Sequence, residues 1–354
     1  MLFHGDLDTW ERVMSIMHSR KIEKNEENHL QFLVFIIGLF YLRMAGAEAL
    51  WRTYIKDTAA RKDSQSVFAY ETGKFGSNPG FRRMHEVIHD ITHAAVMDCW
   101  RLEAMRRNPA HTDLDSFATS DPSWESLQQM AIRIAQSYIA AENFPRRRQK
   151  DSKVRDKQFE NTLLRNRDFL DYIELCHAMD YGDVGRVEDM FLPFICLFKA
   201  TGKHKYATAM TQFLYNLEHV YPAPLVNAIR MNWLVNPTGR PDGFRAVDWL
   251  VELANKYTKV IYGGKFSNRT LHLMIKQSPL IEVFRGVHHL VEDWLHIAKR
   301  TKKHADRNME NTLKKLSMYM KDGQAHVQIP GRKDVSFEVP DQQRVGYAKI
   351  SMEE

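Results

Sequence analysis

The sequence predicts a mainly α-helical protein with a small α/β part at its N-terminus. Residues 30–37 are apolar and rich in β-branched and aromatic side chains, which is typical of a buried strand, and residues 1–4 form a shorter apolar start. Each stretch precedes a segment whose apolar residues have helical spacing. The first 56 residues therefore predict a strand–helix–strand–helix unit, the unit from which parallel sheets are built.

Helices account for most of the remaining chain. Asp8 or Thr9 can cap the first helix, Gly38 interrupts the second strand, and residues 57–80 have the composition of a loop. The tail, residues 324–350, alternates apolar and polar side chains, which predicts a hairpin or a disordered segment. Between loop and tail, helices are predicted at residues 81–107, 123–142, 158–179, 184–200, 204–220, 223–234, 244–260, 268–277, 280–303 and 307–321.

Composition narrows the class of protein. The chain has 354 residues and a formal net charge of +6, which permits nucleic-acid contact without requiring it. Its three cysteines form no CxxC pair, so a disulfide framework is not indicated. The longest apolar run, residues 32–42, is too short to span a bilayer, and Asp6, Asp8 and Glu11 stand where a secretion signal needs an apolar core. We expect an intracellular protein, in the nucleus or the cytoplasm, with no membrane partner.

Two basic segments are candidates for phosphate contact. The run RRRQKDSKVRDK, residues 146–157, can be a nuclear signal or a nucleic-acid patch, although such a run is more often a solvated connection. The second basic segment is TGKHK, residues 201–205, which contains Lys203 and Lys205. This segment and YGGK, residues 262–265, both lack the spacing of a nucleotide-binding loop.

The most informative polar pattern lies in residues 232–259. A loop rich in proline and glycine precedes a predicted helix on which Asp248, Glu252, Asn255 and Lys259 recur at spacings of four, three and four residues. This spacing places all four side chains on one helix face, where they could bind a metal or contact phosphate. The alternative is a solvated face with one i,i+4 ion pair.

The segment HEVIH, residues 85–89, matches the zinc-peptidase pattern HExxH, in which two histidines hold zinc and the glutamate is the general base. His93 adds a third histidine on the same face. Three ligands in a line on one helix cannot surround a tetrahedral ion, and Glu103 is too near on that helix to fold back. We therefore expect His85 and His89 to carry no zinc and to bond neighbouring carbonyls or carboxylates.

Asp6 follows Gly5 directly after the apolar start of the chain. If that start is the first parallel strand, the carboxylate lies at the strand's carboxyl end. Open α/β sheets carry their chemistry at this edge.

Several segments carry a family resemblance. HGDLDTWERV, GLFYLRMAGAEALWR, GKFGSNPGFRRMHEVI, MDCWRLEA, GDVGRVEDMF, TGKHKYATAM, NWLVNPTGRPDGFRAVDWLVEL and SNRTLHLMIKQSPLIEVFR resemble the uncharacterised fungal family catalogued as domain of unknown function 6589. The resemblance covers about residues 4–320. Members of this family look like products of mobile elements.

The resemblance implies a partial ribonuclease H-like core interrupted by a large all-helical insertion, as in hAT-type transposases. Asp6 would be the second acid of that core, and Asp248 or Glu252 the last. The implied domains are a partial core at 1–56, the insertion at 57–243, a return to the core with an acidic helix at 244–277, C-terminal helices at 278–322 and a tail at 323–354.

The implied chemistry is cleavage or strand transfer on DNA phosphodiesters with Mg²⁺ or Mn²⁺ ions. Asp6, Asp248 and Glu252 would be catalytic, and Asp6 and Glu252 would hold the metal. Phosphate contacts would come from four side chains, Asn255, Lys259, Lys203 and Lys205.

This chain also departs from the family pattern. Tyr41 in GLFYLRM stands where many members carry a histidine, Asp8 stands where they carry a small residue, and the strands that would hold the first acid are missing. These departures imply a truncated, inactive copy or one completed by a partner chain. The alternatives are a non-catalytic helical module that binds DNA or protein, and a zinc hydrolase that uses His85, Glu86 and His89.

Overall fold

A computed structural model of the chain describes residues 1–25, 27–55, 79–141, 143–151, 153–263, 270–296, 308–332 and 337–352. The protein is mostly helical and has a small sheet, as the sequence predicts. The elements, in chain order, are β1 (Leu2–Gly5), α1 (Leu7–Ser19), β2 (Val34–Ile37), α2 (Leu39–Tyr54), α3 (Phe81–Arg107), α4 (Leu114–Thr119), α5 (Trp124–Tyr138), α6 (Phe144–Arg148), α7 (Lys157–Asp180), α8 (Val184–Asp189), α9 (Phe191–Ala200), α10 (His204–Tyr215), α11 (Ala223–Met231), β3 (Leu234–Val235), β4 (Arg245–Ala246), α12 (Val247–Tyr262), α13 (Leu271–Gln277), α14 (Ile281–Trp294), α15 (Glu310–Asp322) and α16 (Gln342–Ser351).

The N-terminal strand–helix–strand–helix unit is confirmed. β1 and β2 pair in parallel, with Leu2 opposite Val34 and Gly5 opposite Ile37, and α1 connects them. The second strand begins four residues later than predicted, because the chain turns at Leu30, whose φ is 60°. The cap of α1 is neither Asp8 nor Thr9. It is Asp6, whose carboxylate accepts the Thr9 N–H at 2.8 Å.

The chain divides into two compact units. The first contains Met1–Tyr41 and Pro222–Asn308, and the second contains Leu42–Tyr221 and Met309–Glu354. These boundaries differ from those predicted at residues 56 and 243. The first division falls within α2, after Tyr41, and the first unit also includes α11 and β3. The loop predicted over 57–80 lies outside the described residues except for its last two positions.

The second unit is built around α3, which has the bounds that helical spacing predicts. α3 packs against α5, α7 and α15. Its apolar face is buried, apart from Met97, which is 43% exposed. The buried members of this face are Met84, Val87, Ile88, Ile91 and Ala95.

The C-terminal tail contains a helix, so the predicted hairpin or disordered segment is wrong for residues 342–351. Asp341 caps α16 by accepting the Arg344 N–H. Gly346 lets α16 approach the α9 backbone, since a Cβ at this position would lie 1.9 Å from the Cys196 carbonyl oxygen. Residues 342–351 therefore pack closely against α9, a contact that the local alternation of the tail does not reveal.

A buried polar network lies in the same unit. His326 is 2% exposed and its Nδ1 lies 2.8 Å from Asp98 Oδ2. Asn166 Nδ2 donates to the Tyr138 carbonyl at 2.9 Å, which identifies this atom as the amide nitrogen, and it lies 3.1 Å from His326 Nε2. Nε2 therefore accepts, Nδ1–H donates to Asp98, and the ring is neutral.

Arginines of the basic segment at 146–157 are engaged in contacts within the protein. Arg155 Nη2 lies 2.5 Å from Glu160 and 3.0 Å from Glu338, and Arg148 lies within 3.7 Å of both carboxylates. These two side chains are therefore tied to their own protein and not presented as a nucleic-acid patch.

Within the described residues, no helix combines the length and the apolar character needed to cross a membrane.

Candidate functional site

The candidate site lies in the first unit, where β1 and β2 end. Asp6 follows β1, and Gly38 follows β2, with its N–H bonded to the Gly5 carbonyl at 3.1 Å. Both strands therefore deliver their carboxyl ends to the same edge, as parallel pairing requires. α12 carries Asp248 and Glu252 to this edge.

Asp248 is the most buried acid of the group, at 2% exposure. Its carboxylate accepts the Phe40 N–H at 3.1 Å and the Tyr41 N–H at 3.3 Å, so it satisfies donors that the first turn of α2 leaves unpaired. Burial raises the pKa of Asp248, and the N–H donors oppose this effect. The interpretation of Asp248 as part of a polar surface stripe is therefore wrong, because the residue bonds the start of another helix.

Gly38 is the position that makes room for this contact. A Cβ there would lie 2.4 Å from Asp248 Oδ2 and 2.7 Å from the Gly5 carbonyl oxygen. A side chain at residue 38 would thus strike both the carboxylate and the β1 backbone.

Glu252 lies one helical turn beyond Asp248 and bonds a neighbouring side chain of α2. The Tyr41 hydroxyl donates to Glu252 Oε1 at 2.6 Å. Burial and this hydrogen bond raise the pKa of Tyr41 well above its ordinary value, and the charges of Asp6 and Asp248 act in the same direction. The electrostatic influence of all three acids therefore converges on one hydroxyl.

The start of α12 is held in place by the loop that precedes it. Buried Trp233 donates from Nε1 to the Ile37 carbonyl at 2.9 Å, and its own carbonyl accepts the Val247 N–H at 3.3 Å. Trp233 thus joins the end of β2 to the first residue of α12. The short pair β3–β4, in which Leu234 lies opposite Ala246, continues this link.

Asn255 and Lys259 are not brought to this group. Both are exposed, and neither has a polar partner among the described residues. Val251, an apolar residue of α12, is 44% exposed. Lys203 belongs to the second unit, where its ammonium bonds Glu48 at 2.7 Å, and Lys205 is exposed in the same unit.

A second group, in the second unit, arises from HEVIH. Here Nδ1 of His85 lies 2.9 Å from the Tyr172 hydroxyl. No carbonyl or carboxylate bonds His85 within the described residues, and the expectation of such a partner is therefore wrong for this histidine. Glu86 accepts from Arg82 Nε and Arg83 Nη1, both at 3.0 Å, so its carboxylate is held by two cations. The glutamate of a zinc peptidase is the general base, and its carboxylate must be free to take a proton from water. This pairing does not fit the zinc-hydrolase alternative.

The second group also contains a side chain that sequence reasoning passed over. Cys176 of α7 meets His85 and His89, and the ligand atoms of the three lie within 4.8 Å of one another. No other three histidine, cysteine or acidic residues of the described chain are gathered so closely, and the acids of the first unit do not form such a group. No spacing could have identified Cys176, because it lies on a different helix, 87 residues beyond His89 in the chain.

Comparison with known proteins places the chain in a family without indicating an activity. No curated protein and no solved structure matches it. One family model, described as a family of unknown function, matches residues 1–304, which include Asp6, HEVIH and Glu252. The chain belongs to this family of unknown function, DUF6589.

Proposed function

We propose that this protein is a metal-dependent nuclease or strand-transfer protein that acts on DNA, derived from the transposase-like product of a fungal mobile element. The observation that supports the proposal is the convergence of Asp6, Asp248 and Glu252 on Tyr41 at the carboxyl edge of two parallel strands. Chemistry in open α/β sheets is located at this edge. A partial ribonuclease H-like core would account for both the strand order and the distance of the last acid along the chain.

The donor set fits a hard cation such as Mg²⁺ or Mn²⁺. One carboxylate oxygen of Asp6 and one of Glu252 have no partner among the described residues, and the Tyr41 hydroxyl lies beside them. Mg²⁺ commonly binds one or two carboxylates and keeps several waters. When bound, the ion would activate a water and stabilise the leaving oxygen of the phosphodiester.

We assign different roles to the three acids. Asp6 and Glu252 would bind the ion. Asp248 has its carboxylate occupied by N–H donors of α2, so it would position Tyr41 without contacting metal or substrate. Tyr41 would hold Glu252 Oε1 and leave the other oxygen for the ion.

A partner chain is part of the proposal. The sheet has two strands within the described residues, so its edges could accept another strand. A partner that adds a strand could also supply a further carboxylate, which a two-ion mechanism requires. Metal binding by this chain alone should then be measurable even where cleavage is slow.

The test uses the full chain, a labelled DNA duplex and Mn²⁺. Asp6→Asn removes the charge but keeps a good helix cap, so folding should be retained. We expect Asp6→Asn and Glu252→Gln to lower Mn²⁺-dependent cleavage by on the order of 100-fold and to weaken Mn²⁺ binding measured by calorimetry. Asp8→Asn, an exposed acid in the first turn of α1, is the control and should change neither. Unchanged Mn²⁺ binding in both site variants, or cleavage that persists in EDTA, would refute the proposal.

A further inference from the structure

The group formed by His85, His89 and Cys176 has the chemistry of a metal site. α3 supplies the two histidines one turn apart, with ring centroids 4.2 Å apart, and α7 supplies the cysteine. The three ligand atoms lie within 4.8 Å of one another. Tetrahedral zinc, with bonds of about 2.0–2.3 Å, separates its ligands by roughly 3.3–3.8 Å, so small side-chain adjustments bring the group to coordination distance.

His89 has a buried ring nitrogen that is not hydrogen-bonded. Its Nε2 is buried and has no hydrogen-bond partner within the described structure. An unpaired buried polar atom costs about 1–3 kcal/mol, so the histidine lacks a partner that its surroundings should provide. A metal ion bound at Nε2 would be that partner.

The other two ligands are held by a common neighbour. The Tyr172 hydroxyl lies 2.9 Å from His85 Nδ1 and also hydrogen-bonds the Cys176 thiol. Ligands at metal sites are typically oriented in this way by a second polar group. Tyr172 is fully buried, so its position is fixed by packing.

We propose that His85, His89 and Cys176 form a three-ligand site for a divalent transition-metal ion of the zinc class, with water in the fourth position. Imidazole and thiolate together are ligands that zinc prefers over magnesium or calcium. The cysteine supplies what HEVIH alone lacks, a ligand from a different helix. This site is independent of the nuclease proposal, because it uses only residues of the second unit.

The protonation states of the ligands are compatible with binding. Burial lowers the pKa of His85 to about 4 and that of His89 to about 3, so both rings are neutral near pH 7 and each has a lone pair to donate. Burial raises the pKa of Cys176 to about 12, so the free group is a thiol. Binding would form a metal–sulfur bond and release the thiol proton to solvent.

One positive charge lies beside the site. The Arg43 guanidinium lowers the pKa of all three ligands and hydrogen-bonds the Cys176 thiol, and it is also paired with Asp180 at 3.7 Å. The thiolate formed on binding adds a further negative charge. Since Glu86 is held by two arginines, we expect the site to bind metal for structure and not to act as a peptidase.

Cobalt and zinc binding to the full chain test the proposal. Co²⁺ should bind at about one ion per chain, with tetrahedral visible bands and a thiolate-to-cobalt charge-transfer band in the near ultraviolet. Zn²⁺ should displace it and raise the melting temperature. Cys176→Ser should abolish the charge-transfer band, and His89→Gln should weaken Co²⁺ binding by about 100-fold or more.

Two variants serve as matched controls. Cys99→Ser removes an equally buried thiol of α3, and His93→Gln removes an exposed histidine from the same helix edge. Both should retain the band and the zinc-dependent rise in melting temperature. A charge-transfer band that survives Cys176→Ser, equal affinity in His89→Gln, or no Co²⁺ binding by the wild-type chain would overturn the site.

Discussion

The Tyr41 hydroxyl donates a 2.6 Å hydrogen bond to Glu252, although 211 residues separate the two in the chain. This contact joins the first turn of α2 to α12 within the first unit. Asp248 makes a second connection between the same two helices by accepting backbone N–H groups of that turn. Two acids of one helix therefore bond one short stretch of another, and that stretch directly follows the β2 strand.

The Tyr41–Glu252 bond should contribute measurably to stability. We expect Tyr41→Phe to lower the free energy of unfolding by about 1–2 kcal/mol, because the hydrogen bond is short and partly buried. Urea unfolding of the wild type, Tyr41→Phe, Glu252→Gln and the double variant measures the coupling. Strictly additive effects of the two substitutions would show that the bond contributes nothing.

Gly38 should tolerate no side chain. We expect Gly38→Ala to destabilise the protein by about 2–3 kcal/mol, since the new Cβ overlaps the Asp248 carboxylate and the Gly5 carbonyl. Gly286→Ala in α14 is the control, because a Cβ there meets no atom within 4 Å. That change should raise stability by about 1 kcal/mol through helix propensity. Equal unfolding midpoints for the two variants would contradict the assigned packing.

The buried His326 should make the protein sensitive to acid. Burial lowers its pKa from the ordinary value of 6.5, so the unfolded chain takes up a proton before the folded one does. The stability that neutral, buried His326 contributes is therefore complete above pH 6.5, and it is lost as the pH falls toward the pKa of His326 in the folded protein. One proton gives a slope of at most about 1.4 kcal/mol per pH unit.

The test compares the free energy of unfolding at pH 8.0 and at pH 5.5, two values that bracket an ordinary histidine pKa of about 6.5. His326→Gln should be less stable at both values but should lose less stability on acidification than the wild type. His18→Gln, an exposed histidine of α1, should retain the wild-type difference. If the wild type and His326→Gln lose equal stability, His326 titrates normally.

Lys259 should be dispensable. Its side chain is exposed on α12 and has no partner among the described residues, so Lys259→Gln should change the free energy of unfolding by no more than about 0.5 kcal/mol. DNA affinity, measured by fluorescence anisotropy, should also be unchanged. A several-fold loss of affinity would restore the phosphate-contact role that the helical spacing suggested.

Local sequence determined the secondary structure well. The apolar run before Gly38, the helical spacing over α3 and the strand–helix–strand–helix start all lie within short stretches of chain, where periodicity and turn residues act directly. The spacing of Asp248 and Glu252 likewise placed both acids on one helix.

Only the tertiary structure decided what these side chains do. Asp248 turns inward because the first turn of α2 offers unpaired N–H donors. Residues 342–351 of the tail form a helix, and Gly346 permits its contact with α9. Cys176 joins His85 and His89 because α7 packs on α3. Each of these outcomes depends on a partner distant in sequence, and side-chain spacing within one element carries no information about that partner.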